Sequence, residues 1–106
     1  MIRHCVFFKF RTGVSADERA EIYAGLAALV GQIEGLLSAD FGPNISPEGL
    51  GKGFDDGFIM DFVDAAARDR YLPHPAHQAA GARLVAALEG GTDGLIVFDM
   101  KLGEAR

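Results

Sequence analysis

Two prolines one residue apart, Pro73 and Pro75, interrupt a stretch that is otherwise suited to helix, and they decide how it can fold. Each lacks a backbone donor and disfavours helix in the residue before it, so a helix arriving through Ala65 to Arg70 must stop near Tyr71 or Leu72. A second helix can start at Pro75, because proline is tolerated at the first helical position, and His74 then falls at the cap. Counting on from Pro75, the residues His77, Ala80, Gly81, Leu84 and Leu88 recur at steps of three and four. That spacing places His77 on a small apolar stripe facing inward. His74, next to the break, is expected at the mouth of whatever His77 faces. Two readings stay open at this point. The histidines line a ligand site, or His74 only caps a helix and His77 is a hydrogen-bonded core residue.

The rest of the chain supplies a sheet and one more helix. Ile2 to Arg11 alternates as a first strand, with Ile2, His4, Val6, Phe8 and Phe10 on one face. After Thr12-Gly13, the Ser15-Ala16-Asp17-Glu18 segment has capping-box spacing. A long helix should follow, with Ile22, Leu26, Leu29, Val30 and Ile33 on its apolar stripe and Gly35 as its stop. Gly25 and Gly31 inside it suggest close packing. Leu36 to Gly42 and Gly57 to Val63 read as the second and third strands. Residues 43–56 between them form a loop too long for a tight hairpin, either a functional cover or a mobile segment. Gly90-Gly91 ends the broken helical stretch, and Gly94 to Met100 is a last strand, apolar on both faces. The order strand, helix, strand, strand, helix, strand is the ferredoxin-like split βαβ pattern of the α+β class. A length of 106 residues fits one domain, residues 1–106.

Several function classes are disfavoured. With a net charge of -5 and no cluster of Lys or Arg, the chain has no means of displacing counterions from a phosphate backbone, so nucleic acid is not expected as a partner. No apolar run is long enough to span a membrane, and the N-terminus lacks the layout of a signal peptide, which points to a cytoplasmic protein. Cys5, the one cysteine, reads as a small buried hydrophobe. Gly51-Lys52-Gly53 lacks the flanking residues of a P-loop. The acidic pairs Asp55-Asp56 and Asp61/Asp64 read as solvated charges. Phe7, Ile59, Ile96, Phe98 and Met100 create a different demand. They fall on the sheet face opposite the helices, and a bare apolar face of that size calls for a second copy of the chain to cover it. A homodimer joined sheet to sheet is expected.

The segments Ile2-Arg3-His4-Cys5-Val6-Phe7-Phe8-Lys9-Phe10, Phe41-Gly42-Pro43-Asn44, Gly57-Phe58-Ile59-Met60-Asp61-Phe62, Tyr71-Leu72-Pro73-His74-Pro75-Ala76-His77 and Val97-Phe98-Asp99 resemble the stress-responsive A/B barrel domain family, the dimeric α+β barrels known as Dabb proteins. The Tyr-x-x-His-Pro-x-His segment is the most specific part. The resemblance implies a ferredoxin-like protomer whose sheet joins a partner's into a barrel, with a cavity between sheet and helices. The family includes polyketide cyclases that use aldol chemistry, and similarity to them implies His77 as a base and Tyr71 as its phenolic partner or as a donor to a carbonyl oxygen. It also implies a cavity-lining role for His4 and a place for Asp99 near His77. Where the family often has His-Gly at the start of the third strand, this chain has Asp56-Gly57.

That chemistry is reasonable for these side chains. A proton next to a carbonyl is removed by a base with a pKa near the working pH, and imidazole is the closest match. A phenol can stabilise the developing enolate. Phe8, Leu26, Phe58 and Met60, facing the helices, would supply an apolar wall for a small aromatic or polyketide-like ligand, and no cofactor is required. Two other expectations stand beside this one: a non-catalytic stress-related homodimer with structural histidines, and a metal held by His74 and His77 with His4 or Asp99.

Overall fold

A computed structural model of the chain describes residues 1–103. Four strands, β1 (Ile2–Phe8), β2 (Leu36–Pro43), β3 (Asp56–Phe62) and β4 (Leu95–Lys101), form one antiparallel sheet in the order β2-β3-β1-β4. Three α-helices accompany it, namely α1 (Ala16–Ala27), α2 (Ala65–Tyr71) and α3 (Pro75–Ala86). This is the ferredoxin-like arrangement expected from the order of elements. β1 lies in the interior of the sheet, and its register sets His4 opposite Met60 on β3 and Asp99 on β4.

The alternation along the strands decides what is buried. Val6, Phe8, Phe58, Met60 and Phe62 turn toward the helices and meet Ile22, Leu26, Leu84 and Leu88, all of them buried. The opposite face keeps Phe7, Ile96, Phe98 and Met100 between 40% and 55% exposed. Those values quantify the apolar outer face that asks for a partner.

Local chemistry explains most element ends. Ser15 Oγ accepts the Glu18 amide at 3.1 Å, which caps α1. The Glu18 carboxylate lies 3.9 Å from the Arg11 guanidinium. Asp64, expected to be a solvated charge, caps α2 by accepting the Ala67 amide at 2.9 Å. Asp61 is likewise paired, receiving two hydrogen bonds from Arg3 at 2.9 and 3.0 Å. The long first helix is shorter than its apolar stripe implied. It tightens into a 3-10 turn over Ala28–Gly31, which still buries Leu29. Gly25 and Gly31 have open space where a side chain would stand, so the close packing expected there is absent. Gly35 is a glycine the fold requires. Its φ is +87°, and a Cβ there would come within 2.5 Å of the Ala67 Cβ. β1 ends at Phe8 rather than Arg11, and Phe10 continues only as an isolated bridge to Leu88.

Candidate functional site

The break at Pro73 and Pro75 falls where expected, with α2 ending at Tyr71 and α3 starting at Pro75 behind a His74 cap. It also creates an acceptor. In an unbroken helix the Leu72 carbonyl would take the Ala76 amide, but that amide instead goes to His74 Nδ1 at 3.1 Å. The Leu72 carbonyl is satisfied by side chains, accepting from His77 Nδ1 at 3.0 Å and from Gln78 Nε2 at 3.0 Å. A proton on His77 Nδ1 leaves Nε2 as the ring's free acceptor in the neutral form. Burial holds the His77 pKa below its ordinary value, helped by the nearby His4 and His74 and opposed by the Leu72 carbonyl. His77 is therefore a neutral imidazole near pH 7, tied down at one nitrogen.

His4 is fixed from the other side. Its side chain is 6% exposed, and Nδ1 lies 2.6 Å from Asp99 Oδ1. The second oxygen of Asp99 accepts from Arg68 at 2.6 Å, and Arg68 Nε donates to Asp69 at 2.8 Å. Burial alone would raise the Asp99 pKa, but the hydrogen bonds from His4 and Arg68 outweigh it and hold the carboxyl below its usual range. Asp99 was expected near His77, and it is His4 that it binds, because cross-strand register puts the two opposite each other on β1 and β4. With Nδ1 turned to the carboxylate, His4 keeps Nε2 free. Arg68 has no counterpart in the sequence expectation. The available signal was its place three residues before Tyr71, one turn back along α2.

Between the two imidazoles stands Tyr71, 1% exposed. Its ring centroid is 5.7 Å from that of His4 and 4.0 Å from that of His77. Burial, with the Asp99 charge adding to it, pushes the phenol pKa upward, so the hydroxyl stays protonated. Among the described residues that hydroxyl has no hydrogen-bond partner.

All three rings line one cavity of about 430 Å³ between sheet and helices. The cavity exists because small residues, Gly81 and Ala82 on α3, line it together with Val97 on β4, and no large side chain from either element fills the gap. A Cβ added at Gly81 would stand 3.6 Å from His77 Nε2, which shows where that nitrogen points. Leu26 and Phe58 form part of the wall. Phe8 and Met60, both 0% exposed, do not line the cavity and belong to the close-packed core. His74 is not brought to the cavity either. The first turn of α3 needs an acceptor for the Ala76 amide, and the His74 ring supplies it. No three or more His, Cys, Asp or Glu side chains are grouped so as to hold a metal ion among the described residues.

A larger groove of about 560 Å³ lies on the outer face beneath the loop 44–55 and includes Phe7, Ile59 and Ile96. It contains neither a histidine nor Tyr71. The loop is organised by its own contacts, with the Asn44 amide donating to the Asp55 carbonyl at 2.7 Å and the Asn44 side chain donating to the Phe54 carbonyl at 3.3 Å. Asp56 sits at its edge, where burial raises its pKa against the opposing pull of Arg19 at 3.9 Å. No helix among the described residues is long and apolar enough to cross a membrane.

Comparison with known proteins places this geometry in context. Residues 2–102 match the family model described as the stress responsive A/B barrel domain. The chain is 30% identical over 100 residues to the stress-response A/B barrel domain-containing protein HS1 of Arabidopsis thaliana, covering 94% of this chain and 88% of that protein. Among solved structures it is similar to a dimeric ferredoxin-like protein of unknown function from Jannaschia sp. CCS1, with 35% identity, a TM-score of 0.87, and coverage of 95% and 98% of the two chains. A hydroxynitrile lyase from Passiflora edulis superposes with a TM-score of 0.85 over 97% of this chain and 94% of its own, at 19% identity, a likeness of fold alone.

Proposed function

Starting from the fact that this chain belongs to the stress-responsive A/B barrel domain family, we propose that it is a homodimer whose inner cavity binds a small carbonyl compound and moves a proton at the carbon next to the carbonyl, without a cofactor. One observation carries the reading. Two imidazoles, each tied at Nδ1, and an unpartnered buried phenol converge on a single apolar cavity. Tyr71 lines that cavity, where a ligand oxygen can take the hydrogen bond of its hydroxyl.

The roles follow from the surroundings. A base that takes a proton from carbon becomes an imidazolium, and His4 has the Asp99 carboxylate at its other nitrogen to orient it and oppose that charge. Tyr71, held protonated, donates to the carbonyl oxygen as enolate character develops. His77, held neutral, is a second acceptor that can carry a proton between substrate atoms, the site at which an aldol-type ring closure would use it. Asp99 and Arg68 act through His4 and are positioning residues. The residues that line the cavity all belong to one chain.

The test is hydrogen–deuterium exchange at the α-carbon of small aryl ketones in D2O, followed by proton NMR. The wild type is expected to accelerate exchange above buffer, His4→Gln to abolish the acceleration, and Tyr71→Phe to reduce it. If wild type and His4→Gln exchange at the same rate, the catalytic reading is refuted, and the non-catalytic homodimer with structural histidines stands in its place.

A further inference from the structure

We propose that the inner cavity selects uncharged ketones or aldehydes with a hydrophobic body and rejects carboxylates of the same shape. This deepens the proposed function, and it rests on the cavity being a ligand site. The residues lining the cavity include no Lys, Arg, Asp or Glu. Its polar members are His4, Tyr71, His77 and Gln78, and three of these already have hydrogen-bond partners, Asp99 for His4 and the Leu72 carbonyl for His77 and Gln78. Arg68 is the nearby cation that could have met an anion, but its guanidinium is engaged by Asp99 and Asp69 at 2.6 and 2.8 Å. An anion entering the cavity would lose part of its hydration and meet no free Lys or Arg charge in return. It would also approach the Asp99 carboxylate, which lies directly behind the His4 ring.

A neutral carbonyl faces none of these penalties. Its oxygen needs one donor, and the Tyr71 hydroxyl is free to be that donor. Its hydrophobic body meets Val6, Leu26, Phe58, Leu84 and Val97. The volume of about 430 Å³ lies toward the small end of ligand pockets, which fits a single-ring compound better than a ligand carrying a long charged carrier group.

The experiment is an NMR titration of the full chain with two probes of matching shape, 4-phenyl-2-butanone and 3-phenylpropanoate, in which a methyl group replaces a carboxylate oxygen. The imidazole signals of His4 and His77 report occupancy. The ketone is expected to shift both signals, and the carboxylate to bind at least about a hundredfold more weakly, as burial of an uncompensated charge implies. Gly81→Leu, which places a side chain in the cavity and improves helix propensity, is expected to abolish the ketone shifts while the protein stays folded. Carboxylate binding within about tenfold of the ketone at the same histidines overturns the selectivity and leaves the ligand site standing. Ketone binding that survives in Gly81→Leu, or no binding by either probe, overturns the cavity as a ligand site and this inference with it.

Discussion

Replacing Gly81 with alanine should make the protein more stable and less able to use its cavity. Gly81 sits inside α3, where glycine costs about 0.8–1.0 kcal/mol relative to alanine because it loses more backbone freedom on folding. The new methyl group would stand 3.6 Å from His77 Nε2, an ordinary van der Waals contact, so no clash offsets the gain. At about 4–8 °C per kcal/mol for a domain of this size, the melting temperature should rise by roughly 3–8 °C. Melts of both proteins must be run at equal concentration, because the proposed homodimer would make the midpoint concentration-dependent. The same methyl group crowds the free nitrogen of His77 and shrinks the cavity, so ketone exchange should fall by about tenfold or more, in line with the effect of masking one acid–base group. A lower or unchanged midpoint would refute the claim that there is room beside Gly81. A raised midpoint with undiminished exchange would remove His77 from the proposed chemistry.

Three further outcomes are expected. Because burial depresses the His77 pKa below 6.5, the unfolded chain binds the proton first on acidification, so wild type should lose stability relative to His77→Gln as pH falls below 6.5, with no such trend above it. Melting temperatures of the pair between about pH 5 and 8 check the sign, and a difference that does not vary with pH contradicts it. Phe98→Glu, at a side chain 55% exposed on the outer face, should give a folded monomer by light scattering at micromolar concentration, and a persistent dimer would show that this face is not the interface. Gly35→Ala should cost about 2–4 kcal/mol in urea denaturation, combining a left-handed backbone with overlap against the Ala67 Cβ at 2.5 Å, and a loss below about 1 kcal/mol would rule out both sources of strain.

What could be read in the sequence was whatever depends on near neighbours. Pro73 and Pro75 act on the residue beside them, so the two helix ends and the His74 cap followed from chemistry within a few positions. Strand alternation likewise revealed the inward face of β1, including His4, and the apolar outer face. The pairing of His4 with Asp99, 95 residues away, depends on strand register, and the Arg68 bond to Asp99 depends on where α2 crosses the sheet. Neither is written in local spacing. The cavity was harder still, because it is made of what Gly81, Ala82 and Val97 leave empty. The assignment of Phe8 and Met60 to its wall failed for that reason. A face can be read from alternation, but whether a facing element fills or leaves the space beside it cannot. Gly25 and Gly31 teach the same lesson in reverse, since both have open surroundings where crowding was expected.

The cavity has unequal walls. His4 rides on a strand hydrogen-bonded along both of its sides, whereas His77 belongs to a helix that begins afresh after a proline gap and is anchored to its predecessor through the carbonyl of Leu72. One imidazole is mounted on an anvil and the other on a spring. Lifting the helical side to widen the cavity would release the Nδ1 proton of His77 from its acceptor. Widening of the cavity and loss of that hydrogen bond would then come together, in a single small displacement.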